Sequence, residues 1–222
     1  MTEPRDPVWG YEDLGLFAGA VLPSLALAAG IVRISHIKSD TLTQLIFQVI
    51  FYILVLVALR MLLAWKYQAP FWSSLGINLQ FRFPMLWLAS GTLLSIGISS
   101  IAALLKPPSV DSPLEELILD RRSLILIVFL GPLFEEIVFR GFLFPLFARS
   151  MGPWLAIIAA AIPFALLHGS QSDWAWQLLV PIGVAGLVFG WVRWKTGSTT
   201  ASALVHMGYN TTAVVVYFVQ KN

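Results

Sequence analysis

Apolar residues run through this chain in long blocks, and the polar residues between them come in short ones. A helix that crosses a bilayer needs about 20 mostly apolar residues. Seven stretches come near that length: Leu14–Ile34, Leu42–Trp65, Pro84–Leu105, Ser123–Phe147, Pro153–His168, Trp174–Trp194 and Thr199–Val219. The pattern predicts an all-α integral membrane protein, a bundle of about seven (six to eight) transmembrane helices. The fifth stretch is short and contains Pro163, so it is expected to be sheltered by neighbours rather than to face lipid. Pro23, Pro132 and Pro181 are expected to kink their helices. Trp9, Trp65, Trp72, Trp154, Trp174, Trp176 and Trp194 fall near predicted span ends, where the interface favours an amphipathic ring.

Two connecting stretches have a pattern of their own. In SVDSPLEELILDRRS, Ser112 is an N-cap candidate, Pro113 takes the first helical position, and Glu115 follows three residues after the cap. Leu114, Leu117 and Ile118 then share a face, which reads as a short interfacial helix. GINLQFRF alternates with period two and reads as an extended surface segment or an ordinary loop.

Composition agrees with a membrane protein. Of 222 residues, 58% are hydrophobic and 12% charged, against about 45–50% and about 25% in soluble domains. A formal net charge of +2 and the lack of a basic run argue against nucleic acid as a partner. There is no cysteine, which excludes disulfides, thiolate metal sites and a cysteine nucleophile. The polar start MTEPRDPVWGYEDLG lacks a basic signal-peptide n-region, so the first apolar run is expected to remain as a span. Apart from Arg140, lysines and arginines divide seven to six between the two sides, which leaves orientation open. The expected partner is the lipid bilayer, and the expected location is the cell membrane.

Within the fourth stretch stands FEEIVFR, Phe134 to Arg140. A charge at the centre of a membrane helix costs about 2.5–3.5 kcal/mol, so three of them require pairing or a wet cavity. Glu136 and Arg140 are four apart and can pair on one helical face. Glu135 is turned about 100° away by the helical repeat, which leaves it freer for proton transfer. A pair that only sets helix register is the alternative reading. Two of the three histidines also lie at membrane depth: His168 in PFALLHG and His206 in ALVHMGYN. His36 sits in a loop beside Arg33 and Lys38 and reads as a solvated residue. Phe164 and His168 are four apart, so the ring can pack on the imidazole. His206 and Asn210 are also four apart and would present an imidazole and an amide to one point, a donor pair able to hold an oxyanion. A carboxylate, a second histidine and a His–Asn pair on three helices form a hydrolytic constellation.

EEIVFR (Glu135–Arg140), FALLH (Phe164–His168) and HMGYN (His206–Asn210), in that order on successive apolar helices, resemble the CAAX-protease and bacteriocin-processing family, which includes the Ras-converting prenyl-protein endopeptidases. Arg140–Gly141 and GLVFGWVRWKTGS are similar to it too, and the resemblance covers roughly Ser123 to Val219. It implies a peptide or lipidated protein as partner and substrate, and a polar intramembrane chamber in which Glu135 and His168 activate water. His206 and Asn210 would hold the oxyanion, with Glu136, Arg140 and Phe164 in support. A catalytic domain is expected over 111–222, and motif-free membrane helices over 1–110, together forming one embedded unit. Glu135, His168 and His206 match a catalytic zinc site in ligand type, but there is no HExxH. A metal-free site with Glu135 as base is the preferred reading, and Zn2+ held by those three residues is the alternative. Two other functions compete: a non-enzymatic immunity or chaperone-like partner on the same scaffold, and a proton-coupled transporter. The absence of duplicated halves argues against the latter.

Overall fold

A computed structural model describes residues 7–35, 37, 39–78, 83–105 and 121–221. The described residues form helices and no strands, as expected of an all-α membrane protein. The chain divides into two compact units, Pro7–Ser74 and a second that takes in Leu75–Asn222. His36, the segment 109–120 and residues 79–82 of GINLQFRF, whose expected structures are given above, lie outside the described residues.

The first unit pairs α1 (Tyr11–Ile34) with α2 (Asp40–Met61), which continues as a π turn over Leu62–Lys66, and adds the short α3 (Phe71–Ser74). Each long helix has a matched start and end. The Gly10 N–H donates to the Asp13 carboxylate (2.8 Å), and Ser39 accepts the Leu42 N–H (3.4 Å). Acidic residues occupy the first turns, with Arg33 and Arg60 in the last turns, as the helix dipole favours. Asp13 is fully buried. Its charge is met by Lys66 at 2.7 Å and its second oxygen by the Tyr67 hydroxyl, so the start of α1 is bonded to the end of α2. Trp9 is buried, unlike Trp65, Trp72, Trp154, Trp174 and Trp176, which are exposed as interfacial rings would be.

The second unit holds α4 (Pro84–Ala102), α5 (Arg121–Ile125), α6 (Gly131–Glu136), α7 (Phe144–Leu166), α8 (Trp176–Thr196) and α9 (Thr199–Lys221). Leu126–Leu130 and Ile137–Leu143 are π turns, so the predicted fourth span is one rod interrupted twice. Such turns insert a residue into an α-helix and occur often at functional sites. The chain leaves that rod at Gly152, whose φ of 78° lies in the left-handed region where glycine has no steric penalty. Pro153 then begins the second half of α7, where its missing N–H is not needed.

α9 packs along α4, and α7 along α8. The α4–α9 contact is backbone to backbone. A Cβ on Gly91 would stand 2.0 Å from the Val205 carbonyl oxygen, and one on Gly208 would stand 2.1 Å from that of Leu88. Close approach through small residues is how helices associate in lipid, where burial of apolar surface drives nothing. Thr92 and Thr212 add a hydroxyl pair at 3.1 Å across the same contact. The start of α9 is fixed as well. Thr199 donates its N–H to the Gly76 carbonyl (2.8 Å) and its hydroxyl to that of Leu75 (2.6 Å).

Among the described residues, four helices are long and apolar enough to cross a membrane by length and composition alone: Tyr11–Ile34, Asp40–Lys66, Pro84–Leu105 and Trp176–Thr196. The other predicted spans include the segments that carry the polar side chains of the candidate site. Leu22 and Ile53 in the first unit, and Leu93 and Leu104 in the second, are exposed, as residues facing hydrocarbon rather than water would be.

Candidate active site

The site is assembled from α6 and its following π turn, the end of α7, the middle of α8 and the first half of α9. Glu136 is its centre and is fully buried. One carboxylate oxygen, Oε1, accepts from Arg140 Nη1 at 2.8 Å and faces His206 Nδ1 at 3.0 Å. The other, Oε2, lies 2.5 Å from the Ser202 hydroxyl. The Glu136–Arg140 pair anticipated from their spacing is present, and Glu136 does more than pair. A buried ion pair is favourable only when its remaining hydrogen-bonding capacity is met, and Ser202 and His206 supply that on the carboxylate side.

Arg140 is fully buried too. Its Nη2 donates to the Gly186 carbonyl at 2.8 Å, and its guanidinium lies over the rings of Phe164 (4.5 Å), Phe189 (5.4 Å) and Phe139 (5.8 Å). Aromatic faces attract a cation that has lost water. Gly186 permits this arrangement, since a Cβ there would stand 2.9 Å from Phe164 and 3.3 Å from Nη2.

Glu135 differs from its neighbour, as the helical turn predicts. Its carboxylate keeps 21% exposure and stands 3.8 Å from His206 Nε2, outside hydrogen-bond distance but close enough to act on the same small molecule. His168 lies just past the end of α7, where its Nδ1 meets the Phe164 carbonyl at 2.9 Å. A carbonyl oxygen only accepts, so this Nδ1 carries a proton and the neutral ring offers Nε2 as an acceptor. The same logic applies to His206, whose Nδ1 faces the Glu136 carboxylate. Its Nε2 can donate only when the ring carries both protons. Phe164 touches both imidazoles, at 5.1 Å from His168 and 5.7 Å from His206. Phe189 stacks on His206 at 4.4 Å and 23°. Both imidazoles thus lie against the Phe164 ring, and Glu135 stands beside His206.

Asn210 stands one turn beyond His206 and donates one amide N–H to the Ile127 carbonyl at 2.9 Å. That bond orients the side chain and leaves its second N–H for another acceptor. Three participants are not evident from the motifs. Ser202 precedes His206 by one turn, the only trace it leaves in the sequence. Phe189 and Gly186 lie in the GLVFGWVRWKTGS run, but their contacts depend on how α8 meets α6 and α9.

Zinc would be supplied with the correct donor types by Glu135, His168 and His206. Among the described residues, however, no three histidine or acidic side chains stand close enough together to share one ion. As placed, they do not fit a metal centre.

Fold and site together define a helical membrane protein with a buried acid–histidine centre. Its segment 120–212 matches the model of the type II CAAX prenyl endopeptidase Rce1-like family. It is also 30% identical over 95 residues to the UPF0177 protein YbdI of Lactococcus lactis subsp. lactis (strain IL1403), which covers 43% of this chain and 49% of that protein. The chain thus spans about half the length of this curated relative. No solved structure matches it.

Proposed function

We propose that this chain is an intramembrane endopeptidase that hydrolyses a peptide bond in a membrane-associated, CAAX-type protein at the cell membrane. The observation that carries this reading is the Glu135 carboxylate beside His206 Nε2, with Glu136 fixing the opposite nitrogen. A base and an imidazole nitrogen that donates once the ring is doubly protonated face one space there, inside the segment that matches a protease family.

In this mechanism Glu135 takes a proton from water as the oxygen attacks the scissile carbonyl, and His168 Nε2 orients the water by accepting its second O–H. The oxyanion is held by doubly protonated His206 through Nε2–H and by the free N–H of Asn210. Donors fixed before charge develops lower the barrier most. Protonated Glu135 then passes its proton to the leaving amine, which restores the carboxylate and completes the hydrolysis. No cofactor is needed in this scheme.

The test is a comparison of membranes from cells carrying the native chain or Glu135→Ala. The expected outcome is accumulation of one or a few uncut protein termini in the variant, which still inserts and folds. A general base contributes about 10²–10⁴-fold, so turnover should fall by that range. Identical membrane proteomes from the two strains would refute the reading.

A further inference from the structure

We propose that Ser202 is a positioning residue that holds Glu136, and through it His206, in the orientation the site requires. The activity arm of this proposal rests on the hydrolytic reading above; the Nδ1–H bond of His206 to Glu136 does not.

Ser202 is fully buried within α9, one helical turn before His206. A helical serine in an apolar setting ordinarily bonds back to the carbonyl of its own preceding turn. Ser202 instead reaches off its helix in two directions. Its hydroxyl lies 2.5 Å from Glu136 Oε2 and 2.9 Å from the Phe189 carbonyl. These two residues are the ones that grip the imidazole of His206, Glu136 through Nδ1 at 3.0 Å and Phe189 by ring stacking at 4.4 Å. One hydroxyl thus touches both sides of the clamp.

A hydroxyl has a single proton, so it donates to one of these acceptors at a time. Beside an ionised carboxylate it donates to the carboxylate, the stronger acceptor. Glu136 Oε2 is then anchored, and Oε1 is left for Arg140 and His206. Without the hydroxyl, Oε2 has no partner among the described contacts, and the carboxylate is free to rotate toward Arg140. His206 would lose the acceptor that fixes Nδ1–H. A serine that only fills space predicts none of this, since alanine would serve nearly as well.

The experiment uses the full chain in detergent micelles or nanodiscs with ¹⁵N-labelled histidine. Three histidines give few signals, and His36→Gln and His168→Gln assign them. In the native chain, His206 should show a protonated Nδ1. Ser202→Ala should shift or broaden the His206 nitrogens while leaving those of His168 unchanged. Against whichever substrate the membrane comparison identifies, kcat should fall about 10–100-fold, the worth of a hydrogen bond to a charged group, with KM within about twofold. Ser202→Thr, which keeps the hydroxyl, should restore both. If Ser202→Ala does not fold, Ser202→Cys, of similar volume but weaker as a donor, is read in its place. Unchanged His206 nitrogens in a folded Ser202→Ala or Ser202→Cys protein overturn the proposal, as does a folded Ser202→Thr protein that behaves like alanine. If the native chain cleaves nothing, the hydrolytic reading fails, and the nitrogen spectra still decide the role of Ser202.

Discussion

Arg140 meets Glu136 with a permanent cation at 2.8 Å, and its loss leaves the carboxylate poorly compensated in low dielectric. Breaking one side of a buried pair typically costs about 3–5 kcal/mol. Arg140→Met should therefore lower unfolding stability by that amount. Adding Glu136→Gln should recover part of it, because a neutral amide removes the stranded charge and still reaches Ser202. Unfolding titrations in detergent across the double-mutant cycle check this, and simple additivity of the two single costs would contradict it. At Asn210 the expectation is kinetic. Loss of an oxyanion donor costs about 2.7–4 kcal/mol in the barrier, so Asn210→Ala should lower kcat with KM nearly unchanged. The Ile127 bond adds a smaller stability loss, of about 0.5–1.5 kcal/mol, to be read from the same titration. The carboxylates, histidines and asparagine were legible because a polar side chain in an apolar run is conspicuous. Ser202 was not, since serine is ordinary in membrane helices and only the position of α6 gives it a carboxylate to hold.

Helices were legible at this scale wherever twenty apolar residues run unbroken. The π turns were not, because an extra residue per turn is a response to packing rather than to local composition. Their consequence is that Glu135 and Glu136 follow one register and Phe144 onward another. Gly91 and Gly208 were equally silent, since a glycine in a membrane helix states nothing about its neighbour until the neighbour is placed. Their contact makes a sharp prediction. Gly91→Ala puts a methyl group into the Val205 carbonyl of α9, while Gly183→Ala meets nothing nearer than the Ala165 methyl at 3.7 Å. Overpacking costs about 1–3 kcal/mol where side chains can yield, and backbone yields less readily. Gly91→Ala should thus lose at least that much stability and, by displacing α9 next to Val205, most of its turnover. Gly183→Ala should be indistinguishable from the native chain in melting and rate.

At the scale of the whole protein the decisive question is whether its chemistry depends on a metal ion. With Glu135 as base and His206 and Asn210 as donors, chelator-treated protein should retain its cleavage rate. A zinc enzyme would lose it and regain it on adding zinc, because only the ion would bring a bound water to a pKa of about 7. Rates measured before chelation, after it and after zinc is returned separate the two. The buried centre also sets a schedule for how the protein is made. Glu136 finds its inter-helix partners 66 and 70 residues downstream, at Ser202 and His206. At about 5–20 residues per second, ribosomes deliver those partners roughly 3–14 s after Glu136 itself. Through that interval the carboxylate has only Arg140, carried on the same rod, to offset its cost in hydrocarbon. The salt bridge within FEEIVFR is therefore also a provision for biogenesis, keeping the growing chain in the bilayer until α9 arrives.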